Sequence, residues 1–529
     1  MGSGTPGGGK PAPGGPTVSG GGTKPEIEAT AAGQPETGGA DVSGAAGVAS
    51  GGEGAGPLIV ERAPNYEVTG TWPQQPVALM AKPGQLKYEK VVIHDQFLAE
   101  SCSIADYDND GLPDVSSGRI WYAGPDFKAQ HPFRDGHGPL PRNGSAPELN
   151  TGVADDWADY PFDVNADGNT DIINCAQVDV DEVKNTPNAI GTVQHHSTCY
   201  WYQNPGRAGQ SGDPNWTPHL LHNDVRLEQH GLIDMNGDGF PELYGACKSC
   251  MPPETKGYYQ ANQKDPTAPW SYHAVTGHFT FPFGGLGKLH GEGGGDVNGD
   301  GLPDLLERTG AWLQQPDGTF NEIACTSKNT PKGCGFIEQD FYDGLLDNAG
   351  NKGPSHMYAV DMDLDGVADV VAADWAHGEG LFWYRQDGGG KFTKYQFMGG
   401  ANPTDQSKWG AGFSEPHALQ VVDMDGDGRP DVVTGKMRFA NPLGQGDPDP
   451  NGTPYVYVFK NVATPDARTG APITLQPVLV DPVGVPGPVG SPEGGMGIGR
   501  QLALGHANKD GILDICVATK VGLAVFLGQ

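Results

Sequence analysis

At 529 residues the chain can hold several domains or one large repeat fold, and its 83 Gly, 46 Pro and 9% aromatic residues favour short strands and turns over helices. A formal net charge of −32, with 33 Lys and Arg against 65 Asp and Glu, argues against nucleic acid and anionic membrane surfaces as partners, because nothing basic is clustered to neutralise phosphates. No apolar run approaches the roughly 18 residues of a membrane-spanning helix, so no transmembrane segment is encoded.

Residues 1–57, opening "MGSGTPGGGKPAPGGP", have almost no large apolar groups and cannot bury a core. They read as a disordered Gly/Pro/Ser-rich tether, suited to surface display, and residues 58–529 read as the folded domain. No signal-peptide core opens the chain, and Pro6 stands where myristoylation needs Ser or Thr. An export signal outside these residues is the expectation. A lone alternating segment, "LKYEKVVIH" (Leu86–His94), then precedes the first of seven acidic loops.

The loops begin at Asp106, Asp163, Asp234, Asp296, Asp361, Asp423 and His506, so consecutive starts lie 57 to 83 residues apart. Each is followed by an apolar run such as "PDVVTGK" or "TDIINCA", then by an aromatic run such as "CYWYQNP" or "LFWYRQD". Most repeats add one more short alternating run, such as "WTPHLLH" or "FTKYQFMG". With the strand entering the loop, that makes four strands per repeat, the content of a propeller blade. The chain stops after the third strand of the seventh repeat, at "LAVFLGQ", and Leu86–His94 supplies the missing fourth. The predicted fold class is therefore all-β: a seven-bladed β-propeller closed by an N-terminal strand that completes the last blade, which removes exposed sheet edges.

Within each loop, oxygen-bearing side chains occupy positions 1, 3, 5 and 9, with Gly at 6 for the sharp turn. The sets are Asp106, Asp108, Asp110 and Asp114; Asp163, Asn165, Asp167 and Asp171; Asp234, Asn236, Asp238 and Glu242; Asp296, Asn298, Asp300 and Asp304; Asp361, Asp363, Asp365 and Asp369; and Asp423, Asp425, Asp427 and Asp431. Such sets suit a hard, oxygen-loving cation, most naturally Ca²⁺, and several carboxylates within one turn repel without one. Six structural Ca²⁺ sites are expected, each clipping two strands of a blade. The seventh loop, with His506 first and Lys509 between ligands, is expected to be empty. The D-x-[DN]-x-DG-x-x-[DE] loops in repeats of about 60 residues resemble FG-GAP/VCBS repeats of integrin-α-like propellers. That resemblance, over residues 86–529, implies a calcium-bearing, usually extracellular propeller.

Eight cysteines, an even count, suit disulfides and an extracellular or cell-surface location. Cys325 and Cys334 bracket a short loop, Cys175 and Cys199 lie in two apolar runs of one repeat, and "CKSC" (Cys247 to Cys250) reads as a redox pair or zinc half-site without a second CxxC.

Counting back six residues from each loop start gives Glu100, Trp157, Glu228, His290, Ser355, His417 and Arg500; the fourth residue back includes Asp159, His230 and Glu292. Alternate strand residues share a face, so these groups line the central channel at the mouth away from the calcium loops. His230, His290, His356 and His417 are candidate ligands for one transition-metal ion, with Glu228 and Glu292 as ligands or bases and Arg500 as a further catalytic candidate. The alternative is a substrate-binding ring without metal, or histidines that bond to neighbouring blades and water. Arg134, His137, Asp155, Asp156 and Tyr160 are candidate rim residues, and Trp121, Trp157, Trp201 and Trp375 could stack on sugar rings or pack between blades.

"LHGEGGGDVNGDGLPD", "SHMYAVDMDLDGVADVVAADWAHGEGLFWY" and "EPHALQVVDMDGDGRPDVVTGK" also resemble the propeller of aldos-2-ulose dehydratase-type enzymes. That resemblance implies dehydration of a keto-sugar: a His-bound divalent metal polarises a carbonyl or hydroxyl while a Glu or His takes the α-proton. Two functions stand. One is an exported propeller that binds or transforms a carbohydrate at its central mouth, as a carbon–oxygen lyase if it is an enzyme. The other is a cell-surface adhesion module that meets a protein partner without catalysis.

Overall fold

The computed structural model describes residues 85–134, 156–176, 197–209, 216–225, 231–247, 250, 255–275, 290–308, 310–320, 336–338, 353–373, 375–388, 390–438, 440, 447–481 and 494–529. Glu228, His230, His137, Asp155, Cys325, Cys334 and the expected tether lie outside these residues. Among the described residues regular structure is almost all strand, with short helices at Gly206–Gly209 and Pro403–Trp409.

Four sheets are four-stranded antiparallel meanders in chain order, beginning at Ser103, Asp156, Gly231 and Leu419. In each, the first strand runs into an acidic loop and the second leaves it, as with Ser103–Ala105 and Asp114–Ser117. A fifth sheet combines Leu502–Gly505, Asp514–Thr519 and Gly522–Gly528 with Tyr88–His94 from the other end of the chain. The register runs from Tyr88 opposite Gly528 to His94 opposite Leu523. The closure expected from Leu86–His94 is thus present, starting two residues later.

The closure is reinforced at three levels. A disulfide joins Cys102 to Cys516 across a sequence separation of 414. Backbone N–H groups of Arg500 and Gln501 both donate to the Glu100 carbonyl, at 2.8 and 3.2 Å. The buried Glu100 carboxylate also takes an ion pair from Arg500 at 3.1 Å and another from Lys520.

The sixth sheet departs from separate four-stranded blades. It has eight strands, because Glu292–Gly295 pairs in parallel with Met357–Val360, placing Gly293 opposite Met357 and Gly294 opposite Tyr358. The sequence "GEGGG" permits this. A Cβ on Gly293 would lie 1.8 Å from the Met357 carbonyl oxygen, so the two backbones approach only because no side chain stands between them.

Entry strands stand side by side: Ser103–Ala105 lies against Leu502–Gly505 and Asp156–Phe162, and Met357–Val360 against Glu292–Gly295 and Leu419–Val422. This is a β-propeller. Its core lies between adjacent sheets, for example Val433, Val456 and Val458 packed with Leu502, Ile515 and Phe526, and Tyr160 and Trp201 with Leu243 and Tyr259. Fully burying each large apolar side chain contributes about 1.5–3 kcal/mol. Trp121, Trp157 and Trp201 are all buried, so they pack inside the propeller rather than presenting faces to a sugar. Tyr160 is buried too, and Arg134 pairs with buried Asp156, which removes these three from the rim.

Candidate metal centre

The acidic loops share one backbone scheme. In the six Asp-led loops the first carboxylate accepts the N–H groups of positions 5 and 6 at 2.7–3.1 Å. Position 4 is left-handed throughout, at Asn109, Ala166, Gly237, Gly299, Leu364, Gly426 and Lys509. The five aspartates at position 9 of these loops use both oxygens on the backbone. Asp304, for instance, accepts Val297 N–H at 2.8 Å and Gln314 N–H at 2.9 Å, which ties its loop to the third strand. Asp514 of the worn loop does the same with Ala507 and Gly528. Carboxylate oxygens of Asp106, Asp108 and Asp114, of Asp361, Asp363 and Asp365, and of Asp423, Asp425 and Asp431 converge within 4.8 Å in each set, close enough to share one cation.

Two loops already contain a side-chain cation. Arg385 reaches Asp363 at 2.5 Å and also pairs with Asp365, while Lys460 pairs with Asp425 and stands 3.3 Å from Asp427. Both come from the third strand of their repeat, at Leu381–Gln386 and Val456–Val462.

At the entry to the first strands, the residues six positions before each loop are buried: Glu100, Trp157, His290, Ser355, His417 and Arg500. They form two groupings. Arg500 lies over the Trp157 ring at 4.1 Å and pairs with Glu100. His290 and His417 approach to 5.1 Å between ring centroids, although Ser355 lies between them in the sequence of repeats. Serine at that intermediate position leaves room for two imidazoles to meet.

A third imidazole completes the grouping. His377 is 4.7 Å from His290 and 5.2 Å from His417, centroid to centroid. All three residues are buried, and one ring nitrogen of each lies within 4.8 Å of the others. The expected ligand His356 is buried but outside this set. Glu292, expected as ligand or base, is buried and paired with Lys256.

His377 escaped the strand-counting argument because it sits on the turn after Asp369–Ala373 instead of on an entry strand. That turn is anchored. Glu379 bridges Ser414, and Glu415 N–H donates to the Gly378 carbonyl at 2.6 Å, so the turn bearing His377 is laced to the segment bearing His417. Gly291, at φ 82°, turns the chain beside His290; a Cβ there would meet Pro354 at 2.7 Å.

Glu415 holds a left-handed backbone at φ 59°, a conformation non-glycine residues rarely keep unless their surroundings impose it. Its side chain is fully buried, its carboxylate has no hydrogen-bond partner among the described residues, and it lies 3.7 Å from Lys436. Burial pushes its carboxyl up to about 9, against the opposing pull of Lys436. Burial likewise lowers the Lys436 ammonium, which donates to Ser414 Oγ at 2.6 Å. Asp447 stands 4.0 Å from His377 Nδ1, a carboxylate near the imidazole but beyond hydrogen-bonding distance. Three imidazoles are a donor set that suits zinc or a similar divalent transition metal and leaves a coordination position open.

Residues 361–434 match the family model described as FG-GAP-like repeat. This stretch resembles an FG-GAP-like repeat. It runs from the fifth acidic loop to the sixth, and so includes His377, Glu415 and His417. The seven acidic loops recur every 57 to 83 residues along the chain. No curated protein matches the chain. Among solved structures it is similar to one titled "Crystal structure of BBS1N in complex with ARL6DN, soaked with mercury", at 10% sequence identity and a TM-score of 0.41, covering 84% of this chain and 98% of that one. Among the described residues, no helix is long and apolar enough to cross a membrane.

Proposed function

We propose that this chain is an exported, seven-bladed FG-GAP propeller, clipped by Ca²⁺ at six loops, that binds or transforms a carbohydrate at a metal centre in its central mouth. The eight-stranded sheet counts as two blades fused at Gly293 and Gly294. Three disulfides among the described residues support an oxidising location, and the 1–57 segment would serve as a surface tether to residues 58–529.

The observation that carries the reading is the meeting of His290, His377 and His417 from three different segments, all buried, beside a strained and buried Glu415. An ion held there would supply Lewis acidity toward a hydroxyl or carbonyl oxygen. Glu415, whose carboxyl is pushed up by burial, would serve as the proton donor to a departing oxygen that carbon–oxygen lysis requires. Lys436 beside it can take up the negative charge that follows.

Elemental analysis of the purified chain tests the centre. About one zinc, manganese or iron per chain, lost in His377→Ala and His417→Ala while calcium is retained, is the expected result. Turnover of a panel of keto-sugars and uronic-acid glycans, followed by the absorbance of the unsaturated product, tests the chemistry. Calcium alone, with glycan binding equal in wild type and both variants, would sink the proposal.

A further inference from the structure

Three disulfides occur among the described residues, and one differs from the rest. Cys102–Cys516 and Cys175–Cys199 join segments far apart in sequence, and all four of those cysteines are fully buried. Cys247–Cys250 spans only three positions of sequence, and Cys250 is partly exposed. A bridge over so short a loop restrains the unfolded chain least, so it is a poor staple.

Its surroundings suit a different task. His222 Nε2 lies 3.9 Å from Cys250 Sγ. The Asp224 N–H donates to His222 Nδ1 at 3.1 Å, so the proton of the neutral ring belongs on Nε2 and points at the sulfur. Burial lowers the pKa of that ring, against the opposing field of Asp224. Among the described residues Tyr259 also packs against it, 4.8 Å away between centroids, with its hydroxyl spent on the Asp224 and Ala246 carbonyls. On the far side of the bridge, Cys250 N–H lies 3.1 Å from Cys247 Sγ and donates to it. Each sulfur therefore has its own N–H donor: a ring N–H for Cys250 and a backbone N–H for Cys247.

We propose that Cys247 and Cys250 form a reversible dithiol–disulfide site, gated by His222, that exchanges with external thiols. An incoming thiolate attacks the accessible Cys250 sulfur. A new sulfur–sulfur bond forms there as the Cys247–Cys250 bond breaks, and the electron pair leaves on Cys247, where the Cys250 N–H stabilises it. A second external thiolate attacks the outer sulfur of the mixed disulfide and releases Cys250 as a thiolate, facing the His222 N–H. The net change is two external thiols oxidised to their disulfide and the protein pair reduced by two electrons and two protons. The same three residues could instead hold a metal ion. Ligation through His222 Nε2, however, would move the ring proton to Nδ1, against the Asp224 N–H. That conflict favours thiol exchange.

The test equilibrates the full chain with graded ratios of reduced to oxidised dithiothreitol, traps free thiols by alkylation, and maps them by peptide mass. Cys247 and Cys250 should open at a ratio at least about tenfold lower than the other two bridges require. Alkylation of reduced Cys250 near pH 7 should then slow by about threefold or more in His222→Ala, with its pH midpoint moved upward. His222→Gln, which keeps an N–H donor, should fall between. A Cys247→Ser/Cys250→Ser double variant that melts with the wild type separates this role from that of a staple. Reduction in step with the buried bridges, or a pH profile indifferent to His222, would overturn the proposal. So would stoichiometric, His222-dependent uptake of zinc by the reduced chain, which would make this a metal site.

Discussion

Removing divalent cations should make the fold lose stability as pH rises from about 5 to about 7.5. The carboxyls of Asp114, Asp304 and Asp369 are pushed up to about 7 and that of Asp431 to about 8, first by burial and further by neighbouring loop carboxylates. An aspartate in the unfolded chain titrates near 3.9. Between about pH 4 and pH 7 the fold thus retains protons that the unfolded chain sheds, so rising pH favours unfolding. At full strength each group costs about 1.4 kcal/mol per pH unit across that window. Even at a quarter of that strength, four groups together remove about 4 kcal/mol, against a net stability of about 5–15 kcal/mol for a folded domain. A bound Ca²⁺ requires the same carboxylates ionised, so loading should abolish the loss and confer most protection at the higher pH. Scanning calorimetry in chelator and in millimolar calcium, at about pH 5, 6 and 7.5, reads both effects. If the chelated protein melted higher at pH 7.5 than at pH 5, or calcium raised the melting temperature equally at both, the reasoning would be wrong.

Four further outcomes are expected. Arg385→Ala should tighten calcium binding at the Asp361 loop by several-fold in a titration, because the guanidinium now shares Asp363 and Asp365 with any ion. Gly293→Ala should lower the melting temperature by several degrees or prevent folding, since its methyl would collide with the Met357 carbonyl oxygen. Glu100→Gln should cost about 3–5 kcal/mol in denaturant unfolding, because Arg500 and Lys520 would be left as buried charges without their counter-ion. Leu364→Gly should raise stability by about 1 kcal/mol, as its φ of 59° suits glycine.

Much of this molecule can be read in the chain because the loops act as a ruler. Counting six positions back from Asp296 and Asp423 reaches His290 and His417, which do meet, and the same count finds Glu100 and Arg500, which also meet. The count works because strand residues alternate and each entry strand reaches its loop in the same register. It fails for His377, whose turn has no fixed distance to any loop and is held by contacts with Ser414 and Glu415 about 35 residues later. The fused sheet was written in "GEGGG", but the Gly run says only that something comes close, not which strand. The tryptophans of the aromatic strands carried no mark in sequence to separate inter-sheet packing from sugar stacking, and burial decides it.

The sheet that pairs Tyr88–His94 with Gly522–Gly528 also determines when a molecule is finished. Its first strand leaves the ribosome long before its partner, and Cys102 must wait through a similar interval for Cys516. Until then the growing chain carries an unpaired strand and an unpaired thiol, both features that retain or destroy incomplete proteins. A product truncated before Cys516 would lack both the partner thiol and the partner strand Gly522–Gly528, so closure of this sheet doubles as a check that synthesis has passed both.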